Sequence, residues 1–222
     1  MTVCIAAITL ANEIVTVSDT MITGLTSSAD TNTVKMDPFA KDWSAMWAGS
    51  DITQCIPIME RASEYFEGRA NTLKNARYCV KKAYQQHLSE MAVDEVVGRF
   101  GITSMDSFLK SKSKRFTDTM SDRLIWQMQQ VTSGDLSFLA FGYDAKQVPH
   151  LFVVEEPGKD SVYDKPGFCA IGSGKVAAEG LLMHLEQSRI CTLSKTLINL
   201  LFAKFMAGSK IRVNYVLRAS RV

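Results

Sequence analysis

The last 36 positions, Gln187 to Val222, contain no Asp or Glu. Seven cations stand there unopposed (Arg189, Lys195, Lys204, Lys210, Arg212, Arg218 and Arg221), so this end carries +7. The first 186 residues, with 18 cations and 23 acids, carry −5. Histidine is scarce: His87, His150 and His184 lie far apart without ligand spacing, which argues against a zinc site. The five cysteines, Cys4, Cys55, Cys79, Cys169 and Cys191, are odd in number and include no Cys-x-x-Cys. They read as buried thiols of a reducing, cytoplasmic compartment, not as a disulfide framework. No apolar run reaches the ~18–20 residues of a membrane span, and Met1-Thr2-Val3-Cys4 lacks the basic start of a signal peptide. No membrane partner is expected. Nucleic-acid motifs are also absent. The basic end, poor in interleaved aromatics, reads as a solvated face or one side of a subunit interface ahead of a nucleic-acid stripe.

What is present describes an ordinary globular chain. Of 222 residues, 46% are hydrophobic and 22% charged, which excludes a disordered or fibrous protein and allows one domain with a substantial core. Val3–Leu10 and Ile14–Val17, broken by Ala11-Asn12-Glu13, predict a β-hairpin. A short strand is expected near Thr33–Met36, stopped by Asp37-Pro38, and another over Trp43–Ala48. Ser50 or Asp51 then caps a helix with apolar residues at Ile52, Cys55, Ile56, Met59 and Phe66, which Pro57 is expected to kink. A second helical pattern runs from Leu73 to Met91. Residues 93–133 are the least regular and predict a helical insertion or a flap. Leu136–Tyr143 and Val148–Glu155 form a hairpin, and Pro157-Gly158 and Pro166-Gly167 bracket a turn. Phe168–Ile171 is a strand, Gly172-Ser173-Gly174 opens a helix to about Gln187, Thr192 caps a helix over Leu193–Met206, and Ile211–Leu217 is the last strand. Helices in adjacent pairs exclude βαβ alternation. The expected class is α+β, a four-layer αββα sandwich of two stacked antiparallel sheets.

That order, with the residues at its junctions, resembles the proteasome β-subunit family of N-terminal-nucleophile hydrolases, and most closely its bacterial proteasome-like members. Thr2 follows the initiator Met and opens the first strand. Val17-Ser18-Asp19-Thr20 ends the second, and Lys35 follows Asp19 by sixteen residues, a family spacing. Ala48-Gly49-Ser50-Asp51 and Ile171-Gly172-Ser173-Gly174 each stand at a strand-to-helix junction. The resemblance covers nearly the whole chain apart from 93–133. It implies a threonine peptidase acting on peptide or protein substrates within a homo-oligomeric ring, with no cofactor or metal. No ATPase partner is indicated. The acidic body and basic end suit head-to-tail contacts between neighbours in such a ring.

The chemistry follows from the residue types. A free N-terminal threonine carries nucleophile and base together, because its hydroxyl attacks and its α-amine, with a pKa near ~8, takes the proton. Lys35 beside it keeps the amine neutral and polarises the hydroxyl, while Asp19 holds Lys35 charged and oriented. The Gly49 amide is placed to meet the developing oxyanion. Ser173 resembles the family's supporting serine near the α-amine. Trp47 and Asp51 flank the oxyanion glycine, where the family lines its first substrate pocket, implying preference for a basic or small residue. Two departures stand against the family pattern. The first hairpin is one residue longer than usual, and Ala203–Ser209 lacks the family's supporting aspartate. Three other readings stay open: a non-catalytic subunit, an amidase on a small substrate, and a phosphate-binding turn at Gly172–Lys175 that lacks the Walker spacing.

Overall fold

The computed structural model describes residues 2–18, 21–23, 28–30, 35–49, 52–131, 135–207 and 212–216. The chain opens with β1 (Cys4–Ile8) and β2 (Ile14–Ser18), a hairpin paired from Cys4↔Ser18 to Ile8↔Ile14. Its turn closes through Thr9 N to Glu13 O at 2.9 Å, with Asn12 at φ 60°, a left-handed position that asparagine tolerates. Strands β3 (Met21–Thr23) and β4 (Ser28–Asp30) pair separately. Then come β5 (Met36–Ala40), β6 (Trp43–Ala48), a 3-10 turn over Ile52–Gln54, α1 (Cys55–Phe66) and α2 (Leu73–Val96). Helices α3 (Met105–Arg115) and α4 (Asp118–Gln129) precede β7 (Ser137–Tyr143), β8 (Pro149–Glu155), β9 (Lys159–Val162) and β10 (Phe168–Ile171). Helices α5 (Lys175–His184) and α6 (Leu193–Ala207) and strand β11 (Arg212–Val216) complete the order.

The class is α+β. Two larger antiparallel sheets run β10-β1-β2-β11 and β5-β6-β7-β8-β9. Strands β1, β2 and β7 are buried on both faces, which explains why they read as continuous apolar runs instead of alternating. The period of two still sorts the side chains. From β6, Trp43, Ala45 and Trp47 pack toward α1 and α2 with Ile58, Val80 and Tyr84. Met46 and Ala48 face the opposite sheet, meeting Cys4, Ala6 and Ile8. Val3, Ile5 and Ala7 turn the other way, onto Ala178 and Leu182 of α5 and Leu200 and Ala203 of α6. The packing order is therefore helices, sheet, sheet, helices.

Three sequence expectations change. Pro38 lies inside β5 instead of ending a strand, and the register shifts between Pro38 and Ala40. An edge strand accepts proline because one side of its backbone needs no ladder partner. Of the expected strand near Thr33–Met36, residues 33 and 34 lie outside the described residues. Pro57 stands in the first turn of α1, whose N-cap is Gln54, where its missing N–H has no helical acceptor to lose. The stretch between Pro157 and Pro166 is not a turn alone, since it contains β9, paired with β8 from Phe152↔Val162 to Glu155↔Lys159. Within residues 93–131, where a helical insertion or a flap is expected, α3 and α4, capped by Ser104 and Thr117, pack on the end of α2 in a cluster of their own around Val93, Val97, Phe108 and Leu124.

Among the described residues no helix is long and apolar enough to cross a membrane, and no group of three or more His, Cys, Asp or Glu is arranged to hold a metal ion. All five cysteines are buried thiols.

Candidate active site

Thr2 sits where three elements meet, just ahead of β1, beside the β10–α5 turn and beside Lys35. The backbone N–H of Thr2 donates to Ser173 Oγ at 3.0 Å. Its carbonyl accepts from Gly174 N at 3.1 Å and from Ser173 Oγ at 3.4 Å. Lys35 Nζ donates to Thr2 Oγ1 at 3.5 Å. That is long for a hydrogen bond, but bonds of this kind commonly tighten when substrate arrives. Lys35 is only 2% exposed although it lies in a loop just before β5. A lysine held out of water beside a hydroxyl is a concentrated positive field.

Local structure explains this placement. The β1–β2 register is unbroken from Cys4 to Ile8, so the extra length of the hairpin lies in the Thr9–Glu13 turn. Thr2 is half-buried whereas Val3 is wholly inside the core, so the chain presents Thr2 and not Val3 to the site. Gly172 has φ +92°, and a Cβ there would lie 2.5 Å from the Thr2 carbonyl oxygen and 3.1 Å from Ala48 Cβ. Only glycine combines that backbone with that approach. A Cβ on Gly174 would meet Ala207 O at 2.9 Å, so the end of α6 braces the same turn from behind. The sequence marks Gly172-Ser173-Gly174 as a junction, but the close approach that requires the two glycines is visible only in the fold.

The other expected residues divide. Gly49 follows β6, next to Ala48, which abuts Gly172. The end of β6 is pinned by Ser137 Oγ donating to Ala48 O at 3.3 Å and Cys4 Sγ to Trp47 O at 3.5 Å. The α-helix after it begins only at Cys55, beyond the 3-10 turn. Trp47 is 5% exposed and packs in the core against α1 and α2. Strand alternation puts its indole in a different cluster from Ala48, which faces the opposite sheet. Asp19 and Asp51 lie outside the described residues.

Near the site α6 contributes a buried lysine. Lys204 is completely buried, one turn before Ala207 on the face of α6 that packs on β1 and β2. Further along the β10–α5 segment, Lys175 Nζ meets Glu155 Oε1 at 2.8 Å. Burial pushes the Lys175 ammonium down, but the Glu155 hydrogen bond and charge outweigh it and raise its pKa overall. Lys175 is thus committed to a carboxylate, which removes the cation a phosphate turn there would use.

The arrangement can bring a hydroxyl, a nitrogen on the same residue, a buried ammonium and a second hydroxyl to one point. Compared with known proteins, the chain matches no family model and no curated protein.

Proposed function

We propose that this chain is a threonine-type amide hydrolase of the N-terminal-nucleophile class, with Thr2 exposed as the terminal residue by removal of Met1. The observation that carries the reading is the convergence of Lys35 Nζ and Ser173 Oγ on the hydroxyl and nitrogen of one threonine. The layered helix–sheet–sheet–helix packing supports it. In the proposed reaction Thr2 Oγ1 attacks the substrate carbonyl carbon while the α-amine accepts the hydroxyl proton. The Gly49 amide faces the oxyanion. Collapse of the tetrahedral intermediate breaks the C–N bond, and the α-ammonium returns its proton to the leaving amine. Water, deprotonated by the same amine, then hydrolyses the ester. Ser173 holds the amine in place, Lys35 lowers the cost of the developing alkoxide, and Asp19 is assigned to pair with Lys35. Peptides or proteins are the proposed substrates and a proteasome-like ring the proposed setting. Asp51 is assigned to the first pocket, favouring basic or small residues over large apolar ones.

One observation favours a second reading, a non-catalytic subunit of the same fold: the chain has no acid after Glu186, and α6 buries Lys204 instead. Intact-mass measurement separates the two. The first expects a chain lacking Met1 that gains one equivalent of a threonine-directed electrophile, an adduct lost in Thr2→Ala. A chain that keeps Met1 and takes up no electrophile supports the second.

A further inference from the structure

Helix α2 is longer than the sheet it covers, and its direction decides where the excess lies. Trp43 Nε1 donates to Asn71 Oδ1 at 2.6 Å, so α2 starts at the Trp43 end of β6. Farther along, Tyr84 Oη donates to Leu136 O at 2.9 Å. Leu136 leads into β7, where Ser137 pairs with Ala48, and a Cβ on Gly49 would lie 3.0 Å from Leu136 Cα. Tyr84 is thus level with the sheet end that holds Gly49 and Thr2. The rest of α2, from Gln85 to Val96, overhangs that end by about 18 Å at the helical rise per residue. Helices α3 and α4 pack on this overhang. Between the ends of α2 and α4 it carries a groove of about 510 Å³. Trp126, 61% exposed, gives the groove an apolar side. Gln127 and Gln130 add side-chain amides, and Glu95 and Arg99 bring one charge of each sign. Val131 completes the lining, and the chain returns from it to Leu136 within five residues. That covalent tether keeps the groove within about 18 Å of Leu136.

We infer that this groove is an outlying substrate subsite, which seats an aromatic side chain of a polypeptide about five or six residues from the bond cut at Thr2. The inference rests on the reading of Thr2 as that cutting site. Three features select an extended polypeptide as the occupant. An extended chain advances ~3.3 Å per residue, so a reach of about 18 Å corresponds to that number of residues. A groove of this size holds one large side chain and a stretch of its backbone, whereas a folded partner needs roughly 800 Å² of surface. Finally, the amides of Gln127 and Gln130 both donate and accept, as a peptide backbone requires. Glu95 and Arg99 oppose each other in charge, so the groove selects neither an acidic nor a basic ligand over a neutral peptide.

Calorimetric titration of the full chain carrying Thr2→Ala, which binds without cutting, tests it with three peptides. One is a core of about six Ala and Arg residues. The other two lengthen that core by about six residues ending in Phe, one on the N-terminal side and one on the C-terminal side. One lengthened peptide is expected to bind roughly tenfold tighter than the core or better, the gain of one buried aromatic side chain. Trp126→Ala, at an exposed position, leaves circular dichroism unchanged and brings that ratio to about one, while Trp126→Phe retains most of it. Equal affinity of the three peptides overturns the inference, as does a failure of all three to bind. So does a gain that survives Trp126→Ala. Uptake of a threonine-directed electrophile by the wild-type chain separates the two readings. Uptake without a length gain overturns the subsite alone. A gain that depends on Trp126 without uptake keeps the groove as a polypeptide site and removes the cutting at Thr2.

Discussion

Thr2 is positioned by backbone as much as by side chains, and that distinction decides what each substitution does. Thr2→Ala removes the proposed nucleophile and leaves the backbone bonds to Ser173 and Gly174 in place, so hydrolysis disappears while the fold survives. Lys35→Met keeps most of the buried volume and deletes the charge. The expected loss is about 10²–10³-fold in kcat with little change in KM, the size typical of one lost electrostatic stabiliser. Steady-state kinetics on a peptide amide reads both effects, and full activity in either variant removes that residue from the mechanism. Gly172→Ala acts differently. Its Cβ would lie 2.5 Å from the Thr2 carbonyl on a backbone at φ +92°, so the turn must move. A stability loss of roughly 1–3 kcal/mol is expected together with loss of activity, measurable as urea unfolding of purified protein.

Among the elements, the tip of the β7–β8 hairpin carries a partly buried charge cluster. His150 Nδ1 lies 2.6 Å from Asp164 Oδ2 and His150 Nε2 lies 3.6 Å from Asp144 Oδ2, with the ring stacked on Trp43. Burial pulls the His150 pKa down, but the hydrogen bond and charge of Asp164, joined by those of Asp144, push it up overall. For Asp144 burial acts upward, and the backbone N–H groups of Val148 and Lys146, with His150, carry it below its usual value. The raised histidine contributes stability that is fully present below its unfolded pKa of ~6.5 and lost as pH rises through the folded value. The depressed carboxylate contributes above ~3.9 and is lost as pH falls through its own folded value. Stability is therefore expected to peak between about pH 4 and 6.5. The alkaline decline should be blunted in His150→Gln when melting temperature is followed from pH 5 to 9, and an identical decline in that variant would refute the assignment. Next to it, a Cβ at Gly142 would collide with Asp42 O and sit 2.8 Å from Trp43 Cδ2. Gly142→Ala should cost about 2 kcal/mol through overpacking, read from the same melts.

At the scale of the molecule, three of the four apolar clusters belong to the layered body and one to the α3–α4 extension. The extension is held by a small core around Phe108 and Leu124 on the end of α2, and Leu109 and Trp126 remain exposed. Regions with few buried apolar contacts open below the global free energy. Native-state hydrogen exchange should therefore show α3 and α4 amides exchanging faster than those of β1 and β7, whose residues are buried throughout. Equal protection would mean that the extension unfolds only with the whole chain.

Local patterns made most of the elements legible. The hairpin at the start, β6, the β7–β8 pair, α5 and α6 follow from apolar runs bounded by turn residues or from a 3.6-residue period, and these depend only on neighbours in the chain. Thr192 is such a case, with its hydroxyl accepting from Lys195 N as the cap rule expects. Thr2, Lys35 and Ser173 stand out in the sequence only through the family resemblance. Whether they meet was not a local matter, since Thr2 and Ser173 are 171 residues apart and are joined only because β1 pairs with β10. Tertiary structure alone decided that Pro38 is tolerated at a sheet edge and that β9 adds a fifth strand through pairing with β8. It also turned Trp47 into the core, because which face of a strand is buried, and against what, depends on the layer that covers it.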